Sequence, residues 1–190
     1  MTRYGYSFEG ERKAKIINKW IGMGNIILDL GARDCHLTQH FANGNDIFAI
    51  DIDETGLSYC AQYSIKAIVC DINESLPFDS QTFDVVLANE VLEHTHRPTF
   101  LLNDIKRILK KGGHFIGSVP NAHRLKNKIV RMVEPGFAKD PSHIHEFKVS
   151  EMYHMLKNHF KVVNFSVKFG KMAWYSGRLF GNSIMWRVER

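Results

Sequence analysis

Proline is scarce in this chain of 190 residues, with five in all, and no low-complexity or proline-rich linker interrupts it. No internal boundary is expected, and residues 1–190 read as a single domain. Sequence repeats are absent, which excludes solenoids and propellers. No apolar run approaches the roughly 20 residues that cross a bilayer. The opening stretch, MTRYGYSFEGERKAK, lacks an apolar segment and is not read as a signal peptide. Cysteine is also rare. Cys35, Cys60 and Cys70 are odd in number and form no C-x-x-C pair, so they are expected as reduced thiols in a cytoplasmic protein.

What is present points to a packed globule. Hydrophobic residues make up 44% and aromatics 12%, too much apolar surface for a disordered chain. The net charge of +5 hides a split. Residues 1–95 carry 7 basic and 14 acidic side chains, whereas residues 96–190 carry 18 basic and 6 acidic. A uniform nucleic-acid coat is disfavoured, because the first half would repel phosphates.

Strand and helix patterns alternate. Ile16, Ile17, Trp20 and Ile21 recur at helical spacing within a leading segment, residues 1–24, that Gly22 and Gly24 end. Short apolar runs follow at Asn25–Gly31, Asp46–Asp53, Ile65–Asp71, Thr82–Asn89 and Gly113–Pro120, and read as buried parallel strands. Leu57–Tyr63 fits a helix. Phe100, Leu101, Ile105, Ile108 and Leu109 build another, with the basic stop Lys110–Gly113 behind it. Ser150 is expected to cap a last helix carrying Met152, Met155, Leu156, His159 and Phe160 on one side. KVVNFSVKF and SIMWRVE supply two final strands, joined through the glycine-rich 170–182. The fold expected is α/β: a doubly wound, seven-stranded, mostly parallel sheet with an antiparallel last strand.

In open α/β sheets ligands bind beyond the carboxyl ends of the strands. Those ends carry Asp29 in DLGARDC, then Asp51 and Asp53, then Asp71, then Asn89–His94 in NEVLEH. A carboxylate closing the second strand can accept from both hydroxyls of a ribose. Asp71 can accept from the amine of an adenine.

In this order, ILDLGARDC, FAIDID, CDINESLPFDSQTFDVVLANEVLEHTHRP, LKKGGHFIGSVPN and HIHEF resemble the class I S-adenosylmethionine-dependent methyltransferases, and within them the small-molecule branch with the ubiquinone-type O-methyltransferases. The resemblance spans 26–160 and implies a Rossmann-like methyltransferase fold with S-adenosyl-L-methionine as cofactor. It implies that Asp29 and Gly31 hold the methionine moiety, with Ala32 and Arg33 counted among the cofactor-binding residues. Asp51 grips the ribose, Ile52 and Ile72 flank the adenine, and Asp71 meets its edge. Asn89 seats the methionine amine, and Glu90 and His94 lie beside the transferred methyl. The family's usual G-x-G-x-G is here Gly31-Ala32-Arg33-Asp34-Cys35, and Arg33 either stays solvated or pairs with the methionine carboxylate.

Transfer to a hydroxyl needs a base, for which His94, His143 and His145 are the candidates. The bland alternative is that His94 packs beneath the cofactor and His145 anchors a loop. Glu90, Glu93 and His94, completed by His143 or His145, have the makings of a mixed carboxylate–imidazole site. Some relatives that the resemblance points to hold a divalent ion there; no metal ligand is assigned. Residues 121–149 read as an acceptor-lid insertion. Within it, Leu125, Ile129, Met132 and Val133 fall on one helical face, which either packs on the sheet or touches an anionic head group or membrane surface through 121–133. Trp174, Tyr175, Phe180 and Trp186 are candidates to line an apolar pocket. The expected activity is methyl transfer to a small-molecule or lipid-like acceptor, of anionic character, at oxygen. The rivals are a non-catalytic S-adenosylmethionine-binding protein and an RNA ribose methyltransferase with a divalent metal. A nicotinamide dehydrogenase is disfavoured, because G-x-G-x-x-G is missing after the first strand. Oligomeric state is not legible.

Overall fold

The computed structural model describes residues 8–123, 125, 127, 142–169, 176, 179 and 181–190. Helix α1 (Phe8–Ile21) turns Ala14, Ile17 and Ile21 inward and ends before Gly22. Strands β1 (Ile26–Leu30), β2 (Asp46–Asp51), β3 (Lys66–Val69), β4 (Phe83–Asn89), β5 (Leu109–Pro120), β6 (Lys161–Lys168) and β7 (Ser183–Glu189) form one sheet in the order β3-β2-β1-β4-β5-β7-β6. All pairings are parallel except those of β7, which runs antiparallel to both β5 and β6. The doubly wound α/β sheet with an antiparallel last strand is therefore observed.

Each face of the sheet is covered. Helix α3 (Pro98–Ile108) and helix α4 (Val149–His159) bury Leu101, Leu102, Ile105, Met152 and Leu156 against one side. α1, the 3₁₀ turn Thr38–Phe41 and the short α2 (Glu54–Leu57) bury Ile17, Phe41 and Leu57 against the other. The strand order reverses between β1 and β4, so the crevice that receives ligands opens there.

Several local expectations change. The pair Lys110-Lys111 does not stop a helix. β5 already begins at Leu109, which pairs with Phe83, and Lys110 reaches back to Asp84 at 2.8 Å. Ser150 is not the cap of the last helix. The helix starts at Val149, and Glu151 accepts the Lys148 N–H. β3 is not a buried strand: it lies at the sheet edge and all four of its residues are exposed. Of the expected helix Leu57–Tyr63, Leu57 closes α2 and Ser58–Tyr63 is 3₁₀ helix. Two of the three cysteines are not thiols, because Cys35 and Cys60 form a disulfide with Cα atoms 5.2 Å apart, while Cys70 is free. Trp186 is fully buried on β7 beside Phe115 and is not among the residues lining the strand-end cleft. Most of the expected lid, and Trp174, Tyr175 and Phe180, lie outside the described residues.

Candidate functional site

The turn after β1 is built by backbone that only special residues tolerate. Gly31 has φ +67°, and a Cβ there would stand 2.7 Å from Val91 Cγ2. Arg33 and Cys35 follow with φ +51° and +56°, left-handed positions that glycine would fill more cheaply. Tertiary contacts hold them. Arg33 N–H donates to Asp51 Oδ2 at 2.8 Å, and the Cys35–Cys60 bond ties the turn to the 3₁₀ segment Ser58–Tyr63. Beneath the turn, Asp29 is only 4% exposed and accepts from Thr38 Oγ1 at 2.5 Å. Burial, with Asp51 nearby adding repulsion, lifts its carboxyl to about 7 despite the Thr38 hydrogen bond.

The strand ends converge on a cleft of about 600 Å³. Gly31, Arg33, Asp51, Ile52, Asp71, Ile72, Glu90 and His94 line it. Each Asp51 oxygen already takes one backbone N–H, from Arg33 and from Asp53, and keeps a lone pair for a further donor. Ile52 leaves 71% of its surface exposed at the rim, an apolar platform. Asp71 Oδ1 accepts from the Asn73 backbone and side-chain amides, both at 2.9 Å, which fixes its direction. Asp29, Ala32 and Asn89 are not among the lining residues; they sit behind or beside it.

At the end of β4 the chain turns at Glu90, whose φ is +57° and whose N–H donates to the Ser118 carbonyl at 2.9 Å. His94 closes a short 3₁₀ turn. Its Nδ1 lies 2.9 Å from the Ser142 carbonyl, and since a carbonyl can only accept, Nδ1 carries the proton. In the neutral ring Nε2 is then the free base. The His143 ring stands edge-on to His94, with centroids 4.8 Å apart. Glu93 is 1% exposed, neither of its carboxyl oxygens has a hydrogen-bond partner, and burial with Glu90 nearby raises its carboxyl to about 9. One ligand atom each from Glu93, His94 and His143 can lie within 4.8 Å of the others. His145 is held apart from this group. Its ring stacks on Phe147 and its backbone N–H donates to Glu93 O, an anchoring role.

Cys70, Asn73 and His96, which the sequence did not single out for the site, also line the cleft, together with Asp53 and Val91, which it placed at strand ends without a role. Sequence reasoning missed Lys13 and Ser118. Lys13 Nζ, 77 residues before Glu90, donates to Glu90 Oε1 at 2.6 Å. No spacing rule links a first-helix lysine to the end of the fourth strand. The one available signal was that Lys13 falls near the apolar stripe of its helix.

Residues 28–117 match a methyltransferase domain family. A ubiquinone biosynthesis O-methyltransferase of Rickettsia bellii is 31% identical over 143 residues, which are 70% of this chain and 59% of that protein. The curated relatives are all covered in part, with the chain spanning 18–59% of their lengths. Among solved structures, an S-adenosylmethionine-dependent methyltransferase of Mesorhizobium loti superposes with a TM-score of 0.72 at 14% identity, covering 95% of this chain and 100% of that one. The [4+2]-cyclase SpnF superposes with a TM-score of 0.74 at 13% identity, covering 99% of this chain and 84% of that one. At such identities the likeness is one of fold.

Proposed function

We propose that the chain is a class I S-adenosylmethionine-dependent methyltransferase that transfers a methyl group from S-adenosyl-L-methionine to an oxygen of a small-molecule or lipid-like acceptor of anionic character. The donor lies in the cleft. Asp51 accepts the ribose hydroxyls on its remaining lone pairs, Ile52 and Ile72 flank the adenine, and Asp71 accepts from its amine. Gly31, Ala32 and Arg33 pass close to the methionine moiety, Asp29 supports their turn, and Asn89 seats the amine. The acceptor oxygen attacks the methyl carbon in line. The carbon–sulfur bond breaks with its electron pair going to sulfur, and the acceptor proton goes to a base. Orientation supplies much of the acceleration.

The observation that carries this reading is the fixed tautomer of His94. Its Nδ1–H is spent on the Ser142 carbonyl, and the same ring lines the cleft beside Glu90, so Nε2 is the base. His143 packs edge-on and restricts the ring. Calorimetry with S-adenosylmethionine, followed by release of S-adenosylhomocysteine with 3,4-dihydroxybenzoate as an anionic phenolic probe, tests it. His94→Gln is expected to keep donor affinity and lose about 10²- to 10⁴-fold in turnover. Unchanged turnover in that variant overturns the base assignment.

A second reading has its own support in the orphaned Glu93 carboxyl. A buried carboxyl without a partner, facing two imidazoles, suits a divalent ion of the manganese-to-zinc series, with Glu93, His94 and His143 as ligands. Such an ion would supply Lewis-acid polarisation of the acceptor hydroxyl. His143→Ala separates the two readings. Under the metal reading it abolishes binding of Mn²⁺ or Zn²⁺ measured by calorimetry; under the base reading wild type and variant bind these ions equally weakly.

A further inference from the structure

Lys13 is a buried cation, 9% exposed, on a helix whose remaining inward residues are apolar. Burying an ammonium costs several kcal/mol unless partners repay it, so its contacts show what it is there for. Nζ donates to Glu90 Oε1 at 2.6 Å and to Ser118 Oγ at 3.2 Å. Ser118 Oγ in turn lies 2.7 Å from Glu90 Oε1 and 2.8 Å from Asn89 Oδ1, with one proton to offer the two acceptors. Lys13 therefore ties α1 to the ends of β4 and β5 through the carboxylate that borders the cleft.

That carboxylate is in a charge-sensitive place. The donor carries a sulfonium, whereas its product is a neutral thioether, so the two ligands differ near Glu90 by one positive charge. Glu90 attracts the sulfonium, and Lys13 cancels part of that attraction. We propose that Lys13 sets the electrostatic preference of the donor pocket, holding down the affinity for the cationic sulfonium relative to the neutral thioether product. The consequence is catalytic. As the methyl leaves, sulfur regains its electron pair and loses its charge, so a carboxylate with no counter-charge would stabilise the ground state more than the transition state. Lys13 limits that wasted stabilisation. It acts through Glu90 and is a positioning residue that also sets charge. The proposal rests on the reading of the cleft as the S-adenosylmethionine site.

The test needs no acceptor. Dissociation constants for S-adenosylmethionine and S-adenosylhomocysteine are measured by calorimetry at low salt, for wild type and for Lys13→Met, Lys13→Arg and Glu90→Gln. Lys13→Met is expected to raise the preference for the donor over the product at least tenfold, the effect of a unit charge as far as about 12 Å away at an effective dielectric of about 20. Lys13→Arg, which keeps the charge, leaves the ratio near that of wild type. Glu90→Gln, which keeps the shape, lowers it about tenfold, and it carries the test should Lys13→Met fail to fold. A merely structural role would weaken both ligands alike. Equal changes for both ligands in Lys13→Met and Glu90→Gln therefore overturn the proposal while the site reading stands. A wild-type protein that binds neither ligand overturns both.

Discussion

Asp29 shows how one residue couples the sheet to the site. It is buried at the end of β1, and burial lifts its carboxyl to about 7 in the folded chain, against 3.8 for an ordinary aspartate. A raised folded value means that between these limits the folded state holds a proton the unfolded state has released. The stabilising contribution is complete below about pH 4 and is lost as pH rises through 7. Without cofactor, Asp29→Asn is expected to gain on wild type in urea unfolding between pH 5 and pH 8 by on the order of 2 kcal/mol. Gly31 makes a second case. Gly31→Ala places a methyl 2.7 Å from Val91 Cγ2 at a left-handed φ, and is expected to cost about 1–2 kcal/mol in denaturant unfolding. Val91→Ala should recover the steric part of that loss but not the backbone part. Asp29, Asp51 and Asp71 were legible in the sequence because each stands at the end of an apolar run. Lys13 and Ser118 were not, because their roles exist only once α1 lies across the strand ends. His143 and His145 looked equivalent at a spacing of two. The structure separates them, one beside His94 and the other stacked on Phe147.

At the scale of elements, the turn after β1 is the least ordinary piece. Two non-glycine residues in left-handed conformations are held there by a disulfide across 25 residues of sequence separation. Closing such a loop in the unfolded chain is worth about 3 kcal/mol. Replacing Cys35 and Cys60 together by Ser is expected to lower unfolding free energy by about that amount, with no loss on replacing Cys70. Equal stability of the paired variant and wild type would show that the bond is not formed in solution. The alternation of strands and helices was legible, since apolar runs of five to seven residues and a 3.6-residue stripe over 98–108 need no tertiary information. The start of β5 was not. Lys110 through Gly113 carry the signature of a helix stop, yet pairing with Phe83 and the Lys110–Asp84 contact draw that stretch into the sheet. Cysteine parity misled for a related reason: an odd count excludes full pairing but not one pair.

Across the whole molecule, the charge split acquires a place in the structure. The acidic half supplies the cleft, through Asp51, Asp53, Asp71 and Glu90 on the carboxyl ends of β2 to β4. The basic half supplies α3, α4 and the closing strands. That distribution suits the positively charged donor proposed for the cleft. The disulfide removes the cysteine-based ground for a cytoplasmic location. Among the described residues no helix is long and apolar enough to cross a membrane. The strand order, and with it the crevice between β1 and β4, brings together residues from four separate stretches of sequence. The central claim is that this crevice binds S-adenosylmethionine through Asp51. Calorimetric titration of wild type and Asp51→Ala with S-adenosylmethionine tests it most directly. The account predicts binding to wild type and at least a tenfold loss in the variant, as expected when about 1.4 kcal/mol or more of hydrogen bonding to the ribose is removed. Equal affinity in the two proteins would contradict it.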